Sequence, residues 1–138
     1  GAVPAPAAET VRAAAGRVRE QAPVIGPAIY SGATLEADGF TVYRVRDAEF
    51  DRVVRALAGD VTVRFVDTRY PHTDAERIRR AAMDTTEARF SVVSASIRPD
   101  CEVVTVGVSG DVDAARRTLT ARFGARVLVE AGEPVVPM

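Results

Sequence analysis

The stretch Gly39–Phe65, GFTVYRVRDAEFDRVVRALAGDVTVRF, decides the fold. Phe40–Val45 is rich in β-branched and aromatic residues, which suit a pleated strand. Asp47 follows as a helix cap, with a short carboxylate that can accept from the unpaired N–H groups of a first turn. Phe50, Val53, Val54 and Leu57 then recur at helical spacing and form one apolar stripe. Gly59 stands just past that stripe, where helices commonly stop. Val61, Val63 and Phe65 alternate with Thr62 and Arg64, the period of a strand with one buried face. The run is a complete β-α-β unit.

The same grammar returns near the C-terminus. Glu102–Val108 reads as a strand and Asp111 as a cap. Val112, Ala115, Leu119 and Phe123 form the next stripe, Gly124 stops it, and Arg126–Glu130 closes the unit. Between the two units Thr73 and Glu76 have the spacing of a capping box, which predicts a helix from Asp74 to about Thr86. Phe90–Ile97 then forms a strand that turns back through Arg98–Pro99–Asp100. The expectation is an α+β fold with a ferredoxin-like split β-α-β sheet, helices on one face and pseudo-repeated units. Its core is expected to contain Val42, Phe50, Val54, Leu57, Val63, Phe65, Ile78, Val104, Val106, Leu119, Phe123 and Val127.

Outward from these units the chain changes character. Residues 1–8, GAVPAPAA, have the composition of a Pro/Ala tether, of the kind that follows a removed signal or a lipid anchor. Residues 9–38 read as an N-terminal helix and linker, with Val11, Ala14, Ala15 and Val18 on one stripe, stopped by Pro23 and Pro27. Residues 39–138 read as a single domain. At 138 residues the chain can bury a core without disulfides or a metal. A net charge of −1 gives no overall field for nucleic acid, and no apolar run reaches the length of a bilayer span. All 18 basic residues are arginine, spread along the chain and often beside acids, which marks a GC-rich coding sequence rather than a binding stripe.

Reactive side chains are few. His72, the one histidine, precedes the capped helix with Asp67, Asp74 and Glu76 nearby but no serine or cysteine to activate. Cys101, the one cysteine, excludes an internal disulfide and falls at a hairpin end, where exposure is expected. Ser109 lacks the G-x-S-x-G spacing of a nucleophile elbow and reads as the turn before the Asp111 cap. Asp47, Asp51, Asp111 and Asp113 occupy first helical turns, where the helix dipole favours them. Arg44 and Arg64 are read on one exposed sheet face near Tyr43 and Thr62, without the aromatic run an RNA-stacking sheet uses. No catalytic residue, metal site or cofactor is assigned.

The order FTVYRV, helix, VTVRFVDTRYPHTDAERIRRAAMD, FSVVSA, EVVTVGV, helix, ARVLVEAGEPVVP resembles the pro-regions of secreted trypsin-like proteases of the streptogrisin and α-lytic type. It is similar as well to secreted or lipid-anchored proteins of high-GC bacteria with this layout. The resemblance spans roughly Gly39 to Pro137, with Phe90 where that family often has Trp. It implies a non-catalytic domain outside the cytoplasm that chaperones or inhibits a serine protease, partly through a C-terminal tail. Here Pro134, Val135 and Val136 would engage the partner from that tail. The other expectation is a small-molecule or catalytic cleft lined by Asp67, Arg69 and His72.

Overall fold

The computed structural model describes residues 7–132. Helix α1 spans Ala8–Ile25, followed by strands β1 (Tyr30–Leu35) and β2 (Gly39–Arg44), helix α2 (Ala48–Ala58) and strand β3 (Thr62–Asp67). Helix α3 (His72–Met83), strands β4 (Phe90–Ile97) and β5 (Val104–Gly110), helix α4 (Val112–Phe123) and strand β6 (Val127–Ala131) complete the order. The chain divides into two compact units, at Thr73/Asp74. The expected α+β fold with repeated β-α-β units is what forms. Its strands are shared between two three-stranded mixed sheets, ordered β1-β2-β3 and β4-β5-β6. In each sheet the middle strand pairs antiparallel with the strand before it and parallel with the strand after it.

Residues 9–38, read as a helix and linker, form helix α1 and, within the linker, strand β1. Val11, Ala14, Ala15, Val18 and Ala22 are buried with Phe40, Val42, Phe50 and Val54 in one cluster. Helix α1 continues past Pro23 to Ile25, so the proline does not stop it. Strand β1, YSGATL, carries small and polar residues without clear alternation, so its composition carries no strand signal.

The two sheets agree residue by residue. Tyr30 faces Arg44 and Gly32 faces Tyr43, so Ser31 is an extra, bulged residue. In the second sheet Val92 faces Val108 and Ser94 faces Gly107, leaving Val93 bulged at the same place. Arg44 pairs with Asp67 across the parallel ladder, as Val108 pairs with Ala131. One further rung follows in both, Thr68 N–H to the Arg44 carbonyl at 2.9 Å and Gly132 N–H to the Val108 carbonyl at 2.8 Å. A bulge bends a strand and re-aims its side chains, so its recurrence at one register position marks a repeated ββαβ module.

The helix ends repeat as well. Asp47 accepts from Phe50 N–H at 2.8 Å and Asp111 from Ala114 N–H at 3.0 Å, as caps should. Gly59 (φ 65°, ψ −124°) and Gly124 (φ 64°, ψ −144°) end the two helices in nearly the same glycine-favouring conformation. A methyl group at either glycine would meet no neighbour within 4 Å, so the demand is purely on the backbone. Gly59→Ala and Gly124→Ala should each cost ~1–3 kcal/mol. Urea denaturation of the two variants checks this.

Three local expectations change. The Thr73–Glu76 capping box is not the start of α3, which begins at His72; the Thr73 hydroxyl donates to the Pro27 carbonyl at 2.9 Å. Glu76 instead pairs with Arg79 and Arg80, and these guanidiniums, Arg79 first, hold its carboxyl down to about 2 from 4.5. A folded-state value below the unfolded one adds stability above pH 4.5 that is lost as pH falls towards 2. Glu76→Gln should therefore flatten the acid limb of a stability–pH curve in that window.

Cys101 does lie in the β4–β5 connection, but it is fully buried rather than exposed. Its φ of 58° lies in the left-handed region, where a cysteine is strained. Arg126 spans the turn by donating to the Cys101 and Glu102 carbonyls at 2.9 Å each. Among the expected core residues, Leu57, Val63, Phe65, Ile78 and Phe123 are half-buried, while Ala114 and Val108 are buried beyond that expectation.

Candidate functional site

The residues that set the first module apart gather at the C-terminal end of β2 and β3. Strand alternation turns Phe40, Val42 and Arg44 of β2 inward, so Arg44 is buried, at 5% exposure, not displayed on an open face beside Arg64. Its guanidinium grips Asp51 of α2 through two bonds, Nε to Oδ1 at 2.6 Å and a terminal N–H to Oδ2 at 2.8 Å. A third N–H reaches Oδ1 of Asp67, at the end of β3, at 2.5 Å. Arg46 donates to the other Asp67 oxygen at 2.8 Å. One guanidinium thus ties strand, helix and strand together through planar, charge-assisted bonds.

The electrostatics follow from this geometry. Hydrogen bonding to Asp51 raises Arg44 further above its ordinary value, against the opposing effect of burial, with Asp67 adding to the rise. Hydrogen bonds from Arg44 first, then Arg46, pull Asp67 below its ordinary 3.8. Such a carboxylate is a weak base at neutral pH, which suits a structural or recognition role better than proton abstraction. Phe65 of β3 lies under two guanidiniums, with Arg44 5.1 Å and Arg55 4.9 Å from the ring centroid.

A second polar device fixes the loop that follows β3. The bulged Ser31 hydroxyl meets the Thr68 hydroxyl at 2.7 Å and donates to the Tyr70 carbonyl at 2.6 Å. Residues 67–70 are therefore anchored on both sides, by Arg44 and by Ser31.

The sequence-derived candidates distribute as follows. Asp67 belongs to the ion cluster. Arg69 is exposed, with its guanidinium 5.9 Å from the Tyr70 ring centroid. His72 is exposed at the first position of α3. A groove in the first unit is lined by Ile25, Ile29, Asp47, Glu49, Phe50 and Val53, and another lies along α4 by Asp113, Arg116, Arg117, Thr120 and Ala121. None of the three candidates lines either of these two grooves. Pro134, Val135 and Val136 lie outside the described residues. Among the described residues no group of three His, Cys, Asp or Glu side chains is placed to hold a metal, and no helix is long and apolar enough to cross a membrane.

Arg44 and Asp51 are the functional candidates that sequence reasoning misses. A signal is present: Arg44 continues the inward alternation of Phe40 and Val42, and Asp51 stands beside Phe50 on the face that α2 buries.

The second module shows what the scaffold does without these residues. Ladder pairing matches Arg44 with Val108 and Asp67 with Ala131. Asp51 matches Ala115, since each donates its N–H to the cap residue's carbonyl at 3.1 Å. The positions of the ion cluster are thus Val108, Ala115 and Ala131 in the twin. The hydroxyl pair Ser31–Thr68 becomes Val93 and Gly132, where a Cβ on Gly132 would come within 2.4 Å of the valine methyl. One backbone arrangement accommodates both sets. The second module forms this arrangement without the ions.

No family model, curated protein or solved structure matches this chain.

Proposed function

We propose that the chain is a non-catalytic, extracytoplasmic protein-interaction domain whose first module carries the contact surface at the C-terminal end of β2 and β3. The observation that carries this reading is the contrast between Arg44–Asp51–Asp67 and Val108–Ala115–Ala131 on one repeated scaffold. Replacing a buried ion pair such as Arg44–Asp51 by apolar residues is often neutral or stabilising, which favours a role for it beyond stability. Arg44 ties Asp51 and Asp67 together, and a rim ordered in this way loses little entropy when a partner docks.

A protease partner, engaged as a pro-region engages its enzyme, is the specific form of this reading, supported by the strand and helix order over Gly39–Pro137 and by the Pro134-Val-Val-Pro137 tail. A Pro-bounded apolar segment can lie along a substrate groove. The test is to titrate the domain, with and without residues 133–138, into secreted serine proteases of the same host and to follow peptide hydrolysis. Inhibition by the intact domain that disappears on deleting the tail is expected. Undiminished hydrolysis at large molar excess of the domain would remove the protease-directed role.

A further inference from the structure

The rim of the first module carries more positive than negative charge. Arg44 and Arg46 pair with the two carboxylates of Asp51 and Asp67, and Arg55 adds a third guanidinium over the Phe65 ring. Arg44 is consumed inside the cluster. Arg46 and Arg55 are exposed, and among the described residues no carboxylate pairs with Arg55. Arg46 contacts Asp67 and Arg55 lies over the Phe65 ring, so both are oriented at the rim. An exposed arginine oriented by such a contact, with N–H groups to spare, is suited to paired hydrogen bonds with a carboxylate.

The twin module lacks every element of this rim. Arg46, the residue before the α2 cap, matches Gly110 before the α4 cap. Arg55, whose carbonyl accepts from the stop glycine, matches Thr120. Phe65 matches Val129 on the ladder. The positive rim therefore belongs to one module alone, although the chain as a whole carries a net charge of −1.

We infer that this rim docks an acidic segment of a partner protein, with Arg46 and Arg55 pairing with its carboxylates and the Arg44 cluster serving as their rigid base. The inference rests on the interaction-domain reading and specifies the chemistry of the partner. Opposite charge on the two surfaces would speed encounter and set register more than it would add affinity.

The full chain is titrated with a fluorescent octaglutamate peptide flanked by Gly-Ser, followed by anisotropy. Saturable binding is expected, weakening steeply as NaCl rises from about 50 to about 300 mM. The double variant Arg46→Gln/Arg55→Gln should weaken it by about tenfold or more, the loss of roughly one to two charge-assisted contacts. Arg117→Gln/Arg122→Gln removes the same charge from the second module and should change it less than about twofold. Circular dichroism of each variant establishes that it is folded. Equal loss in the two double variants would overturn the proposal, since net charge alone would then explain the binding. So would absence of peptide binding, or binding only to vesicles containing phosphatidylglycerol. The assay contains no protease, so a failed inhibition experiment leaves this result standing, and the converse also holds.

Discussion

Replacing Arg44 alone by valine should cost the first unit ~3–5 kcal/mol, because Asp51 would keep its charge in a largely buried position with no partner. Adding Asp51→Ala and Asp67→Ala should recover most of that loss, since the triple variant carries the residues that the second module already accommodates at the same register. The chain offers a convenient probe: its three tyrosines, Tyr30, Tyr43 and Tyr70, all lie in the first unit and there is no tryptophan. Urea denaturation followed by tyrosine fluorescence thus reports on that unit. A triple variant as unstable as Arg44→Val would show that the cluster is there to hold the fold.

The second large effect concerns Phe40, fully buried at the centre of the first sheet. It faces Leu35 on β1 and Val63 on β3, and it belongs to the cluster that α1 and α2 cover. Phe40→Ala should cost ~3–5 kcal/mol, the transfer term plus the cavity that a close-packed core cannot fully close. Phe123→Ala should cost less, since that ring is half-buried and lies under Arg122 at the surface. The same denaturation measurements, read by circular dichroism for the Phe123 variant, compare the two.

The two β-α-β units are legible because their signals are local. An aspartate cap, an apolar stripe and a stop glycine lie within about a dozen residues of one another, and each reports on its own turn of backbone. Strand β1 is not legible. Its Tyr30–Ser31–Gly32 bulge breaks the alternation a strand is recognised by, and its pairing with β2 is a non-local fact. Thr73 and Glu76 have the right spacing for a cap, but a carbonyl distant in sequence at Pro27 and two nearby arginines compete for their side chains. Cys101 reads as exposed because turn residues surround it; its burial depends on packing that a turn does not announce.

The candidate site is half legible. Asp67 stands out as a polar residue closing a strand, but the two side chains that complete the cluster do not. Arg44 carries only the faint signal of continuing the Phe40–Val42 alternation, and Asp51 that of standing beside Phe50. Both become distinctive once the ladders are matched and Val108 and Ala115 are seen in their places.

Hydrogen–deuterium exchange of the full chain, free and with the octaglutamate peptide, tests the central claim most directly, because the second module is an internal control of matching backbone arrangement. Slowed exchange is predicted at the end of β2, in the first turns of α2 and at the end of β3, around residues 44–55 and 65–70. No change is predicted at the matching segments, 108–120 and 129–132. Protection shared equally by the two modules, or confined to the second, would contradict the assignment of the contact surface to the Arg44 rim.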